Sequence, residues 1–255
     1  MTDTLVNIVT IKWGTLYGPE YANRLYAAVK RNLSKPHQFV CFTDNPEGLD
    51  AGIKVFPIPD VPMPDYYLNS GWRKICLFRN DLPVSGTCLF MDLDLVITGS
   101  LDVFFDFGQP EQIPIIHNWV PWHKTLFRKR PEIGNSSIFR FVANECSFVY
   151  EQYLREQEWA LKTFWPPQSY LTHCIRPRMV YWPEEWVRSF KRHCTRIFPM
   201  NFFLNPKIPE GARIIAFHGR PNPDEALVGF KGKKLHHTVR PTKWIGDYWM
   251  DDKKS

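Results

Sequence analysis

No run of eighteen or more apolar residues occurs in this 255-residue chain, so no membrane-spanning helix is expected. The opening residues, Met1–Asn7, lack a basic segment followed by an apolar one, and no signal peptide is expected there. Cys-x-x-Cys pairs are missing too. The six cysteines (Cys41, Cys76, Cys88, Cys146, Cys174 and Cys194) are widely and irregularly spaced, which argues against a dithiol redox motif or a disulfide framework. Several sit among apolar neighbours, as in Val40-Cys41-Phe42, and read as small buried hydrophobes. A reducing, cytoplasmic setting is the resulting expectation. Nucleophile and phosphate-loop signatures are absent as well. There is no Gly-x-Ser-x-Gly, Walker loop, Gly-x-Gly-x-x-Gly or His-Glu-x-x-His. Chemistry by metal, charge and positioning suits that silence.

Hydrophobic residues make up 44% of the chain and charged residues 23%, so a packed core is expected rather than disorder. The length suits one large α/β domain or a domain with additions. The net charge is +6, and the basic residues are dispersed apart from the knots Arg128-Lys129-Arg130 and Lys231-Gly232-Lys233-Lys234. No zinc-finger spacing or aromatic-glycine RNA motif accompanies them, so nucleic acid is not the expected partner. The functional alternative is attraction to phosphate, either in a nucleotide-sugar or on an anionic membrane surface.

Val6–Ile11 reads as a first strand, followed by the loop Lys12-Trp13-Gly14. A helix over 19–33 opens on Pro19 and repeats Tyr21, Leu25, Ala28 and Val29 at helical spacing. Gln38–Thr43 is a second strand ending in the turn cluster Asp44-Asn45-Pro46, and Ile53–Phe56 is a short third. Strand, helix, strand in this order implies a parallel crossover. A Pro-rich loop leads to a helix over 72–79, then to a strand over 89–97 and a short helix after Gly99. A strand near Ile113–Ile116, a helix over 142–162 and a strand over 212–217 complete the pattern. From about 229 onward the chain is basic and Trp-containing with no clear period. The expected division is a domain over 1–228 and a tail over 229–255.

Two carboxylates interrupt the apolar run Leu89–Ile97. Side chains alternate along a strand, so Asp92 and Asp94 are expected on one face. Adjacent anions in an apolar setting repel and lose hydration, and a divalent cation removes both penalties. An Asp-x-Asp pair arises about once by chance in a chain with fourteen Asp, so the motif matters only through its place near a strand's C-terminal end, where α/β sheets bind ligands. His218 directly follows the last strand and precedes Gly219, where the backbone can approach closely. With the two Asp it would complete a site for a borderline metal such as manganese. Lys74 and Lys191 are candidate partners of a diphosphate.

Together these segments resemble the GT-A-type glycosyltransferases, in particular the family-8-like set that includes glycogenin and bacterial lipopolysaccharide sugar transferases. The similarity is closest to a bacterial group of uncharacterised glycosyltransferase-like sequences. It rests on Lys12-Trp13-Gly14 with Tyr17-Gly18, Val40-Cys41-Phe42-Thr43-Asp44, Gly71-Trp72-x-Lys74, Met91-Asp92-Leu93-Asp94, Asn135-Ser136-Ser137, Ser189-Phe190-Lys191 and Phe217-His218-Gly219-Arg220-Pro221. The resemblance implies an α/β GT-A fold with a mostly parallel central sheet flanked by helices. It implies that Asp92, Asp94 and His218 hold Mn²⁺ or Mg²⁺ against a nucleoside diphosphate. Thr10, Lys12, Trp13, Gly14 and Asp44 would hold the base and ribose. Lys74, Asp92, Lys191 and Gly219 would serve the diphosphate, and Asn135, Ser136 and Gln168 the donor sugar. Where such sequences often read Gly-Asp-Gln, this chain has Pro166-Pro167-Gln168, so the acid expected at position 167 is missing.

The expected activity is metal-dependent transfer of a sugar from a UDP-sugar to a glycan, lipid or protein acceptor, with retention of configuration. The aromatic segment His117–His123 is a candidate acceptor surface. The tail residues Lys243-Trp244 and Tyr248-Trp249 are candidates for peripheral contact with the inner face of a membrane. The rival readings are a catalytically inactive nucleotide-sugar-binding protein, a nucleotidyltransferase and a basic polyanion-binding protein.

Overall fold

The computed structural model describes residues 5–120 and 129–250. Arg128 and the residues 121–123 of the aromatic segment lie outside the described residues. In chain order the elements are β1 (Val6–Lys12), α1 (Pro19–Asn32), β2 (His37–Thr43), β3 (Lys54–Phe56), α2 (Asp65–Leu68) and a 3-10 helix (Gly71–Phe78). Then come β4 (Gly86–Met91), β5 (Leu95–Ile97), α3 (Asp102–Asp106), β6 (Ile113–His117), β7 (Gly134–Ala143), α4 (Phe148–Thr163) and α5 (Gln168–Ile175). The series closes with β8 (Met179–Tyr181), β9 (Val187–Ser189), β10 (Ile214–Ala216), α6 (Pro223–Val228) and α7 (Trp244–Trp249). The chain forms two compact units, one of residues 1–22, 35–93 and 102–182, the other of residues 23–34, 94–101 and 183–255.

The first unit is built on a seven-stranded sheet of order β3-β2-β1-β4-β7-β6-β8. Neighbours β3, β2, β1 and β4 are parallel, β7 is antiparallel to both β4 and β6, and β8 is parallel to β6. The sheet is therefore mostly parallel, as expected, with one reversed strand, β7. All seven residues of β1 are buried, the signature of a central strand covered on both faces. Alternation along the strands sends Val9, Ile11, Phe90, Phe139 and Phe141 into one core with Trp72, Ile75, Phe78, Tyr153 and Tyr170. Phe139 stacks against Phe78 and Phe90, with ring centroids 5.8 and 5.0 Å apart. Trp72 is fully buried beside Tyr153 and Tyr170. Burying a side chain of this size contributes on the order of 2–3 kcal/mol.

The second unit carries a three-stranded sheet of order β5-β10-β9, with β10 antiparallel to β5 and parallel to β9. From Asn23 onward α1 belongs to this unit. Its Arg24 lies 4.3 Å over the ring of Trp249, and Arg31 donates to the Tyr248 carbonyl at 3.0 Å. Trp249 is 1% exposed, so this tail tryptophan is part of a core and cannot insert into a bilayer.

Several expectations are corrected. The strand expected over 89–97 ends at Met91, and β5 resumes at Leu95 in the other sheet, with a turn at Leu93-Asp94 between them. Asp92 and Asp94 thus do not share the face of one strand. The turn gives the two carboxylates different surroundings: Asp92 pairs with Lys74, while Asp94 is 8% exposed in the turn into β5. The helix expected over 72–79 is a 3-10 helix. The helix expected from 142 starts at Phe148, because residues up to Ala143 complete β7. That strand was hidden by the polar residues Asn135, Ser136, Ser137 and Arg140. Beyond 229 a short helix, α7, replaces the patternless tail. The six cysteines are free and buried, as read, and burial pushes the Cys76 and Cys88 thiols up to about 12.

Arg140 shows how one buried charge is accommodated. It is 4% exposed on β7, and its guanidinium donates to the carbonyls of Phe104 (3.1 Å), Phe105 (2.9 Å) and Gln109 (3.1 Å) around the end of α3. A cation at a helix C-terminus meets the orphan carbonyls and the negative end of the dipole. Arg140→Leu leaves those carbonyls unpaired. We expect it to lower stability by roughly 2–4 kcal/mol, read as a drop in urea midpoint at unchanged m-value. An unchanged midpoint would show that the three bonds contribute nothing net.

Candidate active site

In the first unit the parallel strands deliver their C-terminal ends side by side. The register pairs Lys12 with Thr43, so the residues just beyond β1 and β2 meet. Gly14 has φ +60°, a conformation that favours glycine, and its N–H donates to Asp44 Oδ2 at 2.9 Å. Lys12 is 4% exposed and its Nζ reaches the Asn45 carbonyl at 3.4 Å. Trp13 lies under the Arg73 guanidinium at 5.6 Å. Thr10 is fully buried, and its hydroxyl has no hydrogen-bond partner among the described residues. Four of the five residues expected to hold base and ribose therefore lie together at the end of β1, and the fifth, Asp44, ties them to the end of β2.

The 3-10 helix is capped by Ser70, whose hydroxyl accepts from the Trp72 N–H at 3.4 Å. With three residues per turn, side chains three apart eclipse. Trp72, Ile75 and Phe78 share one edge, and Gly71 and Lys74 share the next. Both edges line a small pocket, completed by Ser136, Pro167, Gln168 and Leu171. Lys74 is 8% exposed. Its ammonium lies 2.8 and 2.9 Å from the two Asp92 carboxylate oxygens, 2.9 Å from the Ser136 carbonyl and 3.4 Å from the Ser136 hydroxyl. It also sits 4.9 Å over the Phe90 ring. An ammonium has three protons, and these partners use them.

Asp92 is held at the end of β4 because its N–H donates to the Ser137 carbonyl at 2.9 Å, one step beyond the β4–β7 ladder. Asn135 accepts from the Ser137 N–H at 3.0 Å and donates to Asn118 at 3.3 Å. Gln168 opens α5. The helix is fixed to β7 through Thr172, whose hydroxyl donates to the Gln168 carbonyl at 2.8 Å and accepts from the Gly134 N–H at 2.9 Å. Thr172 is a positioning residue that sequence reasoning missed. Its only signal was the four-residue spacing from Gln168.

The second unit presents another strand-end cluster. Beyond the paired residues Ala216 and Leu95, the Phe217 N–H donates to the Asp94 carbonyl at 3.1 Å, which sets Asp94 opposite the residue preceding His218. Ser189 ends β9, is fully buried, and places its hydroxyl 2.7 Å from His218 Nε2. Lys191 Nζ donates to the His218 carbonyl at 2.6 Å, and a Cβ on Gly219 would stand 3.4 Å from that ammonium. Phe190 stacks on Phe217 with centroids 4.4 Å apart, locking the two strand exits together. Burial, then the Lys191, Arg192 and His193 charges, lowers the His218 pKa to about 4. Burial and Arg192 also lower that of Lys191.

Each unit thus gathers its share of the expected site: Lys74, Asp92, Asn135, Ser136 and Gln168 in one, Asp94, Lys191, His218 and Gly219 in the other. Among the described residues no three His, Cys, Asp or Glu side chains converge into a ready-made metal cage. Asp92 instead faces an ammonium. Ser189 was visible in sequence only as part of Ser-Phe-Lys, with no sign that it would meet His218. In the aromatic segment, His117 stacks on Tyr181 with centroids 4.2 Å apart, so its ring is engaged within the first unit.

No family model and no curated protein matches this sequence. Solved structures do. The galactosyltransferase LgtC, in complex with donor and acceptor sugar analogues, superposes with a TM-score of 0.55 at 10% identity, over 85% of this chain and 88% of that one. The bifunctional glycosyltransferase WbbM gives 0.56 at 14% identity, over 87% of this chain and 47% of that one. The glycosyltransferase GlyE of Streptococcus pneumoniae gives 0.61 at 10% identity, over 96% and 61%. The chain has the fold of these glycosyltransferases, the GT-A-like α/β architecture read from its sequence.

The buried imidazole makes a pH prediction. An unfolded histidine takes up a proton as pH falls through about 6.5, whereas His218 stays neutral until about 4. Between those values the unfolded chain binds the extra proton, so stability falls as pH drops through this window. Urea midpoints at pH 7 and pH 4.5 should differ more for the wild type than for His218→Asn. Equal pH dependence in the two proteins would refute a buried neutral imidazole.

Proposed function

We propose that this protein is a metal-dependent glycosyltransferase that moves a sugar from a nucleoside-diphosphate sugar, with uridine as the base, to a hydroxyl acceptor with retention. The observation that carries the reading is Asp92. It sits at the C-terminal end of a central strand, already binds one cation, the Lys74 ammonium, and does so beside a pocket containing Ser136 and Gln168. Ligands of open α/β sheets bind at such strand ends. A solved LgtC structure is an active-site variant with glutamate in place of glutamine. Gln168 is the pocket glutamine of this chain.

Asp92, Asp94 and His218 are the residues proposed to hold Mn²⁺ or Mg²⁺. Their oxygen, oxygen and imidazole donors suit such an ion, and the depressed pKa of His218 keeps its ring in the neutral, ligating form. When bound, the ion supplies charge neutralisation on the diphosphate leaving group. Ligation through Nε2 requires the Ser189 hydroxyl to rotate away from its present contact. Thr10, Lys12, Trp13, Gly14 and Asp44 hold the nucleoside. Lys74, Lys191 and the Gly219 backbone face the diphosphate, adding fixed positive charge where negative charge develops. Asn135, Ser136 and Gln168 orient the donor sugar. The acceptor oxygen bonds to the anomeric carbon on the face from which the phosphate oxygen departs, and that departing oxygen takes the acceptor proton.

A second reading has its own observation. Pro167 lines the pocket and puts no carboxylate there. An inactive nucleotide-sugar-binding protein fits that wall.

Thermal shift and hydrolysis over a panel of nucleotide-sugars, with and without Mn²⁺, test both. UDP should raise the melting temperature by several degrees only with metal, and Asp94→Asn should abolish the shift. Gln168→Ala should keep the shift and lower turnover by about 100-fold. Equal stabilisation by UDP in chelator would sink the metal site. A metal-dependent shift with no turnover of any sugar would select the inactive protein.

A further inference from the structure

Ten of the chain's Lys and Arg residues lie in two stretches of the second unit, 186–209 and 226–246, neither of which contains a single Asp or Glu. These ten bring more positive charge than the whole chain's net +6. The two stretches are bound to each other. Asn201, 3% exposed, donates to the carbonyls of Leu235 (3.1 Å) and Thr238 (3.0 Å). Arg240 donates to the Phe202 carbonyl and to Asn205, both at 2.9 Å, and Trp244 Nε1 donates to the Pro206 carbonyl at 3.1 Å.

On this pinned frame the apolar side chains face outward. Ile197 is 79% exposed, Phe203 70%, Phe198 50%, Met200 47% and Leu204 44%, and Leu235 in the other stretch is 66% exposed. Single exposed apolar residues need no explanation, but five within eight positions on a hydrogen-bonded scaffold do. Lys207, Lys231, Lys233 and Lys234 are exposed in the same two stretches.

We propose that this face docks on a lipid bilayer bearing anionic headgroups. Such a surface takes both halves of the pattern: the apolar side chains enter the headgroup boundary while the lysines meet phosphate and carboxylate above it. A nucleic acid would satisfy the charge but leave Ile197, Met200 and Leu204 wet, since backbone tracking and base stacking use cations and flat rings. A second copy of the chain would bring its own acid-free basic stretches against these and be repelled. The contact is made by residues 197–204 and 231–235, not by the tail tryptophans. Trp249 packs inside the unit and Trp244 is half-buried with its N–H already bound.

Co-sedimentation of the full chain with phosphatidylcholine vesicles, and with vesicles of equimolar phosphatidylcholine and phosphatidylglycerol, tests the proposal. The wild type should bind the anionic vesicles at least about tenfold more tightly than the neutral ones, with weakening in salt. The triple reversal Lys231→Glu, Lys233→Glu, Lys234→Glu should lose about tenfold or more. Ile197→Ser with Phe203→Ser should lose a comparable factor that low salt does not restore. Unchanged melting temperatures show that both variants fold. Absence of binding to anionic vesicles overturns the proposal. So does wild-type binding by the Ile197/Phe203 variant when single-stranded DNA displaces the vesicles, which marks a general polyanion surface. Concentration-dependent self-association that this variant removes, without vesicle binding, marks an interface between copies and overturns it equally.

Discussion

One ammonium joins three elements of the first unit. Lys74 leaves the 3-10 helix, grips both oxygens of Asp92 at the end of β4, and binds the carbonyl and hydroxyl of Ser136 on β7. It does so at 8% exposure, where an unpaired charge would be costly and a saturated one is tolerable. The pocket wall follows from this closure. Trp72, Ile75 and Phe78 can share an edge facing the core only if the helix is held against β4 and β7, and Lys74 holds it there. The same contact keeps the Asp92 carboxylate from pairing elsewhere, so the acid stays at the strand end where a ligand would find it.

The second unit solves a similar problem with an uncharged contact. A lone imidazole among Lys191, Arg192 and His193 would be repelled if protonated, and burial adds to that cost. The fold answers by keeping His218 neutral and placing the Ser189 hydroxyl at its Nε2. Lys191 turns its ammonium to the His218 carbonyl rather than to the ring. The two units therefore present contrasting electrostatics: an acid already matched with a cation, and a base held uncharged among cations.

Much of this was legible in the residues. The parallel strands β1 to β3 and the turn at Asp44 follow from apolar runs punctuated by turn residues, and the GT-A-like fold from the family resemblance of the motifs. Three things were not legible, each for a physical reason. The break at Leu93-Asp94 looked like a continued strand because Leu95–Ile97 is as apolar as Leu89–Met91. The run of apolar residues carries no sign that the chain leaves one sheet for another. The strand β7 carries Arg140 in its interior, which reads as surface until three carbonyls around the end of α3 are seen to receive it. Trp249 looked like a membrane anchor because an exposed and a buried tryptophan are spelled alike. Arg24 of α1, far away in sequence, lies over its ring. The role of Ser189 could not be read at all, since a hydroxyl at a strand end has many partners available.

The bond from the Phe217 N–H to the Asp94 carbonyl has one more consequence. It runs main chain to main chain, so neither residue's side chain is needed to make it. The acid and the imidazole next to it are spaced by peptide geometry, as steps on a ladder are spaced by its rails. Changing the identity of either side chain alters the chemistry offered without altering where it is offered. The side chains on such a rung can be exchanged one substitution at a time while the backbone beneath them stays put.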